Sequence, residues 1–341
     1  MNDNKLKPYF FAIDYIRTIS ILGVVLIHTT TRVLEASGYA LNNFYWTLLL
    51  NQIARFAVPL FFLISGFVLE LNYDFHQNYW SYLKKRLSKI FIPYVFWSCI
   101  YYFLIYTQNH DNFLKVILTG DASYQLYFIP TLLIFYLIFP FIHKAHKYII
   151  NLPVLTILGA VQLYLLNLDY FIKQFTFPDP IRISLLAFFI FIFGIFAARF
   201  QGVTFKASRT IIYALILPII YLGFYIFNEG NNLYFKTYDI KAIYSQWRPD
   251  VLIYTILIFI FLFYIFDNRN FGSKIVKIIS KLSFLVFFIH VIIIEVLWKT
   301  LGHNFYTTLG FDILFFASVS CLSFLIAYLI HKIPHLAKIT G

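Results

Sequence analysis

Three side chains near the start of the chain have types and spacing that could do chemistry together. In the stretch "DYIRTISILGVVLIHTT", Asp14, Arg17 and His28 stand among Ile, Leu and Val. Eleven helical steps of about 100° return His28 to within about 20° of the Arg17 face, roughly 16 Å further along the axis. Asp14 precedes Arg17 by three residues and can reach it as an i, i+3 pair. The spacing predicts one polar stripe, with a carboxylate orienting a guanidinium at one end and an imidazole about three turns on. A guanidinium is a fixed charge suited to phosphate or carboxylate. An imidazole can take or give a proton near neutrality. The plainer alternative is that Asp14 and Arg17 anchor a helix at an interface while His28 bonds to a neighbouring helix.

Further groups of the same kind recur along the chain. Arg55 opens "RFAVPLFFLISGFVL", about ten residues into an apolar run, where it should face a partner or a cavity. Ser65 and Gly66 in that run suit close helix packing. "SFLVFFIHVIIIEVLW" carries Ser283, His290 and Glu295. Ser283 and His290 are seven apart and share a helical face. Glu295 lies about 140° round from His290, as an interfacial acid or as a partner for a histidine. "YLKKRLSKIFIP" crowds Lys84, Lys85, Arg86 and Lys89 into one edge. That edge suits anionic headgroups, or a polyanionic donor with Arg86 binding its phosphate.

The elements that must position these groups are membrane helices. The 341 residues are 61% hydrophobic and only 12% charged, against about 25% charged in ordinary soluble domains. The chain reads as all-α, a polytopic integral membrane helical bundle. Ten apolar segments are candidates for spans: about 10–30, 46–69, 90–107, 123–142, 152–168, 184–198, 211–228, 251–266, 283–299 and 312–331. Between them lie polar breaks such as "SGYALNN", "TQNHDN", "NEGNN" and "DNRNFG". With the N-terminus cytoplasmic, 17 Lys and Arg fall in inside segments and 8 outside, while Arg17 and Arg55 are embedded. This asymmetry fits ten spans with N- and C-termini cytoplasmic. It also turns the formal charge of +12 into an orientation signal, so no nucleic-acid partner is implied. The N-terminal run, interrupted by Asp14 and Arg17, is a first span and not a cleavable signal.

Other chemistries find no support. Cys99 and Cys321 lie inside apolar runs and suggest neither a disulfide nor a metal site. Phosphate loops of the nucleotide-binding type are missing, which argues against ATP-driven transport by this chain alone. Most of the aromatic residues, 22% of the chain, read as interfacial belts and packing.

Five motifs together resemble the acyltransferase family 3 membrane proteins. "AIDYIRTISILGVVLIH" looks like that family's first helix, with its Arg, ten residues, His pattern falling on Arg17 and His28. "RFAVPLFFLISGF", "RLSKIFIPY", "LYFIPTLLIFYLIFP" and "LSFLVFFIHVIII" resemble its later helices, in order. Richness in Ile, Phe, Lys, Asn and Tyr suggests a bacterial plasma membrane. The resemblance implies an enzyme, a membrane-embedded O-acyltransferase. It would move an acetyl or other short acyl group from cytosolic acyl-CoA to a hydroxyl of an extracytoplasmic surface glycan. Acyl-CoA would be a donor substrate, with no permanently bound cofactor and no metal. His28 would be general base or transient acyl carrier. Arg17, oriented by Asp14, would bind a phosphate of the donor or stabilise an oxyanion. Arg55 would supply a second fixed charge, with Arg86, His290, Glu295 and Ser283 as further binding candidates. Residues 1–341 read as one transmembrane domain without an appended extracytoplasmic domain. Transfer would then go directly to a glycan or lipid-linked sugar acceptor, or through a separate extracytoplasmic partner; a homo-oligomer is compatible with this. The rival reading is a transporter or flippase for a polysaccharide or lipid-linked sugar.

Overall fold

The computed structural model describes residues 9–37, 43–74, 76–106, 111–172, 175–204, 209–266, 273–302, 306–308 and 310–341. The basic residues Lys5, Lys7, Lys173, Lys206 and Arg269, and the breaks at 38–42, 107–110 and 267–272, lie outside the described residues.

Among the described residues all regular structure is helical. The helices are α1 (Phe11–Ser37), α2 (Phe44–Ile53), α3 (Ala57–Asn72), α4 (Tyr79–Ile100), α5 (Phe113–Thr119), α6 (Phe128–Lys144) and α7 (His146–Ile149). They continue as α8 (Leu152–Asn167), α9 (Asp179–Leu186), α10 (Phe188–Thr204), α11 (Arg209–Thr237), α12 (Pro249–Phe266), α13 (Ser273–Leu297), α14 (Phe311–His331) and α15 (Pro334–Thr340). Among the described residues eight helical stretches are long and apolar enough to cross a membrane; α9 and Phe188–Arg199 of α10 pass the same test as a pair bent by 49° and, counted as one span, make a ninth. The remaining predicted segment, 123–142, is helical only from Phe128 and is shorter than a usual span.

The departures from straight spans have local causes. In the second segment Pro59 lacks the N–H that would bond the Arg55 carbonyl. The chain tightens there into a 3-10 turn, Ala54–Phe56, between α2 and α3. Between α9 and α10 the backbone breaks at Ala187, and the Phe189 N–H donates to the buried Gln162 side chain at 3.1 Å. Such breaks persist at membrane depth only where protein groups replace the lost bonds. Before α6, Gly120 adopts φ +85, and a Cβ there would lie 2.5 Å from the Tyr127 Cα. This tight turn makes residues 121–127 an inward-folded loop, which is why the predicted span begins too early.

Small residues set the closest helix contact. A Cβ on Gly66 would lie 2.2 Å from the Phe191 carbonyl oxygen, and one on Gly194 2.0 Å from that of Leu63. Backbones of α3 and α10 thus touch, as small residues permit. Beyond that contact, Glu70 of α3 binds both Arg199 of α10 and His143 of α6, the latter at 3.0 Å. Another pairing joins distant parts of the chain. Helices α1 and α13 lie side by side and parallel. Ser280 donates to Asp14 at 2.6 Å, the His28 and His290 rings face each other, and Arg32 pairs with Glu295 at 3.6 Å.

Candidate active site

One cavity of about 1080 Å³ runs beside α1, at the upper end of the usual range for ligand sites. One end, hereafter the basic end, is lined by Arg17, Arg86, Lys89 and Lys281, with Ser280 and Ser283 on α13. His28 lines it further along α1. The opposite end is lined by Arg55, Tyr124, Tyr127, Tyr244 and Gln246, with Glu35 and Glu295 near its mouth. Arg17 and His28 of the predicted stripe therefore face one space, which Asp14 does not line, and the helical repeat places the guanidinium and imidazole about 16 Å apart along it.

His28 is half-buried, its ring 5.2 Å from that of His290 and 4.9 Å from that of Tyr124. His290 is fully buried, and its Nδ1 lies 3.0 Å from the Val286 carbonyl. A carbonyl can only accept, so Nδ1 carries the proton and Nε2 holds a lone pair. That Nε2 has no hydrogen-bond partner among the described residues. A buried acceptor without a partner is unusual, and here it belongs to the ring beside the candidate base.

Several predicted pairings come out differently. Asp14 forms no salt bridge with Arg17; its carboxylate accepts from the Tyr9 hydroxyl and from Ser280 Oγ. The reason is the neighbouring α13, whose serine reaches the carboxylate first. Glu295 binds Arg32 and not a histidine, because the turn that carries it faces the end of α1. Arg32 also lies over the Trp298 ring at 5.1 Å. Arg55, 2% exposed, meets no acid among the described residues; it donates to Asn51 Oδ1 and to the Tyr244 carbonyl, and its Nε has no partner among them. Arg86 faces the rings of Tyr82 and Tyr136 at about 6 Å. Ser283 lines the cavity while its hydroxyl donates to the Ser280 carbonyl at 2.8 Å. Ser65, expected in packing, lines the cavity as well.

Other site residues escaped the reading of motifs. Asn51 lies one turn before Arg55, and "NQIAR" in an apolar run was the available signal. Tyr124, Gln125 and Tyr127 sit in the loop before α6 and carry no signature of their own. The segment between α11 and α12 also folds inward. Gln52 donates to the Ile243 carbonyl at 3.3 Å, and Trp247 packs against Phe62. Tyr244 donates to Glu35 at 2.9 Å. Burial, and then the Glu35 carboxylate, push the Tyr244 phenol well up, so it remains a donor.

Residues 10–332 match the acyltransferase 3 family model, described as "Acyltransferase domain". The chain is 26% identical over 303 residues to a provisionally named membrane-bound acyltransferase, YfiQ, of Bacillus subtilis (strain 168), covering 81% of this chain and 78% of the relative. It is 23% identical over 317 residues to the "Probable poly-beta-1,6-N-acetyl-D-glucosamine export protein" of Staphylococcus aureus (strain MRSA252), covering 86% and 85%. No solved structure matches it. A multi-pass helical membrane protein whose first-helix arginine and histidine line one cavity, it belongs to the acyltransferase 3 family.

Proposed function

We propose that this protein transfers an acetyl or other short acyl group from cytosolic acyl-CoA to a hydroxyl of an extracytoplasmic glycan. The observation that carries the reading is the single cavity: cations without acid partners at one end, His28 within, and a polar, aromatic-lined opposite end. The charge asymmetry of the sequence supports a cytosolic basic end. Arg17 and Arg86 take phosphates of the donor there, each free of salt bridges among the described residues. The slender arm of the donor carries its thioester along the cavity toward His28.

The acceptor hydroxyl enters from the opposite end, among Tyr127, Gln246 and Arg55. His28 takes the hydroxyl proton as the oxygen attacks the thioester carbon. A positive group near the developing oxyanion lowers the barrier, and Arg55 is the buried cation on that side. The tetrahedral intermediate collapses with breakage of the carbon–sulfur bond, and the proton on His28 passes to the leaving thiolate. The products are an acylated glycan and free CoA thiol. Transient acylation of His28 itself would use the same residues in two steps.

Membranes containing the protein, given radiolabelled acetyl-CoA, are expected to place label on cell-envelope glycan. Membranes lacking it should not. Absence of any protein-dependent label, with acetyl and longer acyl donors alike, refutes the proposal. The export name of the staphylococcal relatives favours one second reading, a conduit through the same cavity. Movement of unmodified glycan across the membrane, with no covalent label, would be its signature.

A further inference from the structure

The last helix enters the cavity from the basic end. After α14 the chain turns at Lys332 and Ile333, and α15 runs back into the bundle against α4, which is remote in sequence. Ala337 and Gly341 line the cavity beside Ser283 and Phe284. Thr340 is buried, and its carbonyl accepts from the Trp97 indole N–H at 3.0 Å. A Cβ at Gly341 would lie 2.9 Å from the Phe284 ring and 3.6 Å from Pro93. Phe284 precedes His290 by six residues, about 9 Å along α13. Gly341 therefore lies against α13 nearly two turns before His290.

This insertion is built, not incidental. One face of α15 lines the cavity through Ala337 and Gly341 while Thr340 is buried against α4. Trp97 is buried within α4, and its N–H would be stranded without Thr340. The other face of α15 shows Ile333, Leu336 and Ile339, each at least 40% exposed and three residues apart, as suits contact with lipid. The family match ends at residue 332, so α15 lies outside the shared region.

We propose that α15 is a wall of the donor passage that confines the arm of the thioester donor and excludes water from it. The proposal rests on the reading that acyl-CoA enters at the basic end. Without the wall, water reaches the thioester carbon, and hydrolysis releases a free carboxylic acid and CoA thiol in place of an acylated glycan. Donor affinity and the coupling of donor use to transfer then depend on a segment that touches neither histidine.

Three variants test it in membrane vesicles given radiolabelled acetyl-CoA and scored for label on glycan and label released as acetate. A chain stopped after Ile333 is expected to raise the donor KM on the order of 10-fold, the loss of about one good set of contacts. It should also raise acetate released per transfer several-fold. Trp97→Phe, which keeps the ring and removes the bond to Thr340, should move both readouts in the same direction by less. Ala337→Phe adds bulk inside the wall, so it should raise the donor KM without raising acetate release, a split that general unfolding would not produce. Unchanged donor KM and acetate ratio in both Trp97→Phe and Ala337→Phe, within twofold, overturns the proposal even if the shortened chain fails to insert. Absence of donor-dependent label from the unaltered chain overturns the donor reading itself. Normal label with unchanged ratios removes only the wall.

Discussion

If His28 takes the acceptor's proton as proposed, replacing it with glutamine removes that base, and the loss can be sized. General base catalysis contributes about 10²–10⁴-fold, which at about 1.4 kcal/mol per decade is roughly 3–5 kcal/mol of barrier. The fold should survive, because Ile21, Val24, Val25 and Ile27, which hold α1 in the core, are untouched. His290 supplies the internal check. Its Nε2 is a fully buried acceptor beside the His28 ring, and an N–H of His28 turned toward it would be held in one tautomer and one orientation. His290 is then a positioning residue, and His290→Gln should lose about one hydrogen bond's worth, roughly 10-fold. The double variant should be no worse than His28→Gln alone, because a base that is absent cannot be mispositioned. The assay is acyl transfer from radiolabelled acetyl-CoA to envelope glycan, with membrane insertion followed by gel filtration in detergent. Transfer by His28→Gln within fivefold of the parent refutes the assignment. A double variant that loses the product of the two single losses refutes the coupling.

Arg17→Gln should raise the donor KM about 10–100-fold with a smaller change in kcat, since it removes charge-assisted bonds worth about 1.5–3 kcal/mol; titration of acetyl-CoA separates the two. Arg55→Lys keeps a charge but cannot bridge Asn51 and the Tyr244 carbonyl at once. It should lower transfer by at least about 10-fold while leaving the donor KM near that of the parent, as measured in the same titration. Gly66→Ala must force α3 away from the Phe191 carbonyl, 2.2 Å from the new Cβ. It should destabilise the bundle by about 1–3 kcal/mol, seen as a lower midpoint in thermal aggregation in detergent.

Much of this architecture was legible because a membrane imposes strong rules. Apolar runs located every predicted span, but polar turns extend several helices past them: α4 begins at Tyr79 and α13 at Ser273, each about ten residues before its run, and α11 continues to Thr237 through the predicted break "NEGNN". Two further departures followed from interior features. The start of α6 was masked because "SYQL" continues an apolar-looking run, although Gly120 forces a turn before it. The 49° bend at Ala187 has no glycine or proline to announce it and depends on Gln162 reaching across from α8. The site was legible along α1, where the 3.6-residue repeat converts spacing directly into a shared face. Pairing between helices was not legible. Asp14 and Ser280 are 266 residues apart, and only the packing of α1 on α13 lets a serine take the carboxylate that spacing alone would assign to Arg17. The same blindness hid Arg32 as the partner of Glu295 and α15 as part of the cavity.

The distribution of cations argues for the site independently of any motif. An arginine near or within a bilayer is expensive unless its charge is met, and among the described side chains the arginines away from the cavity have theirs met. Arg199 binds Glu70, Arg182 binds Asp169 and Asp179, and Arg248 binds Asp250. Along the cavity the pattern reverses. Arg17, Arg55 and Arg86 have no carboxylate within salt-bridge reach among the described residues, and Arg32 alone is paired, at the far mouth. Simple anchoring would not sort the paired from the unpaired by whether they face the cavity. Binding does, because a counter-charge supplied by the protein would compete with the phosphates and the developing oxyanion that the proposed reaction brings to these guanidinium groups.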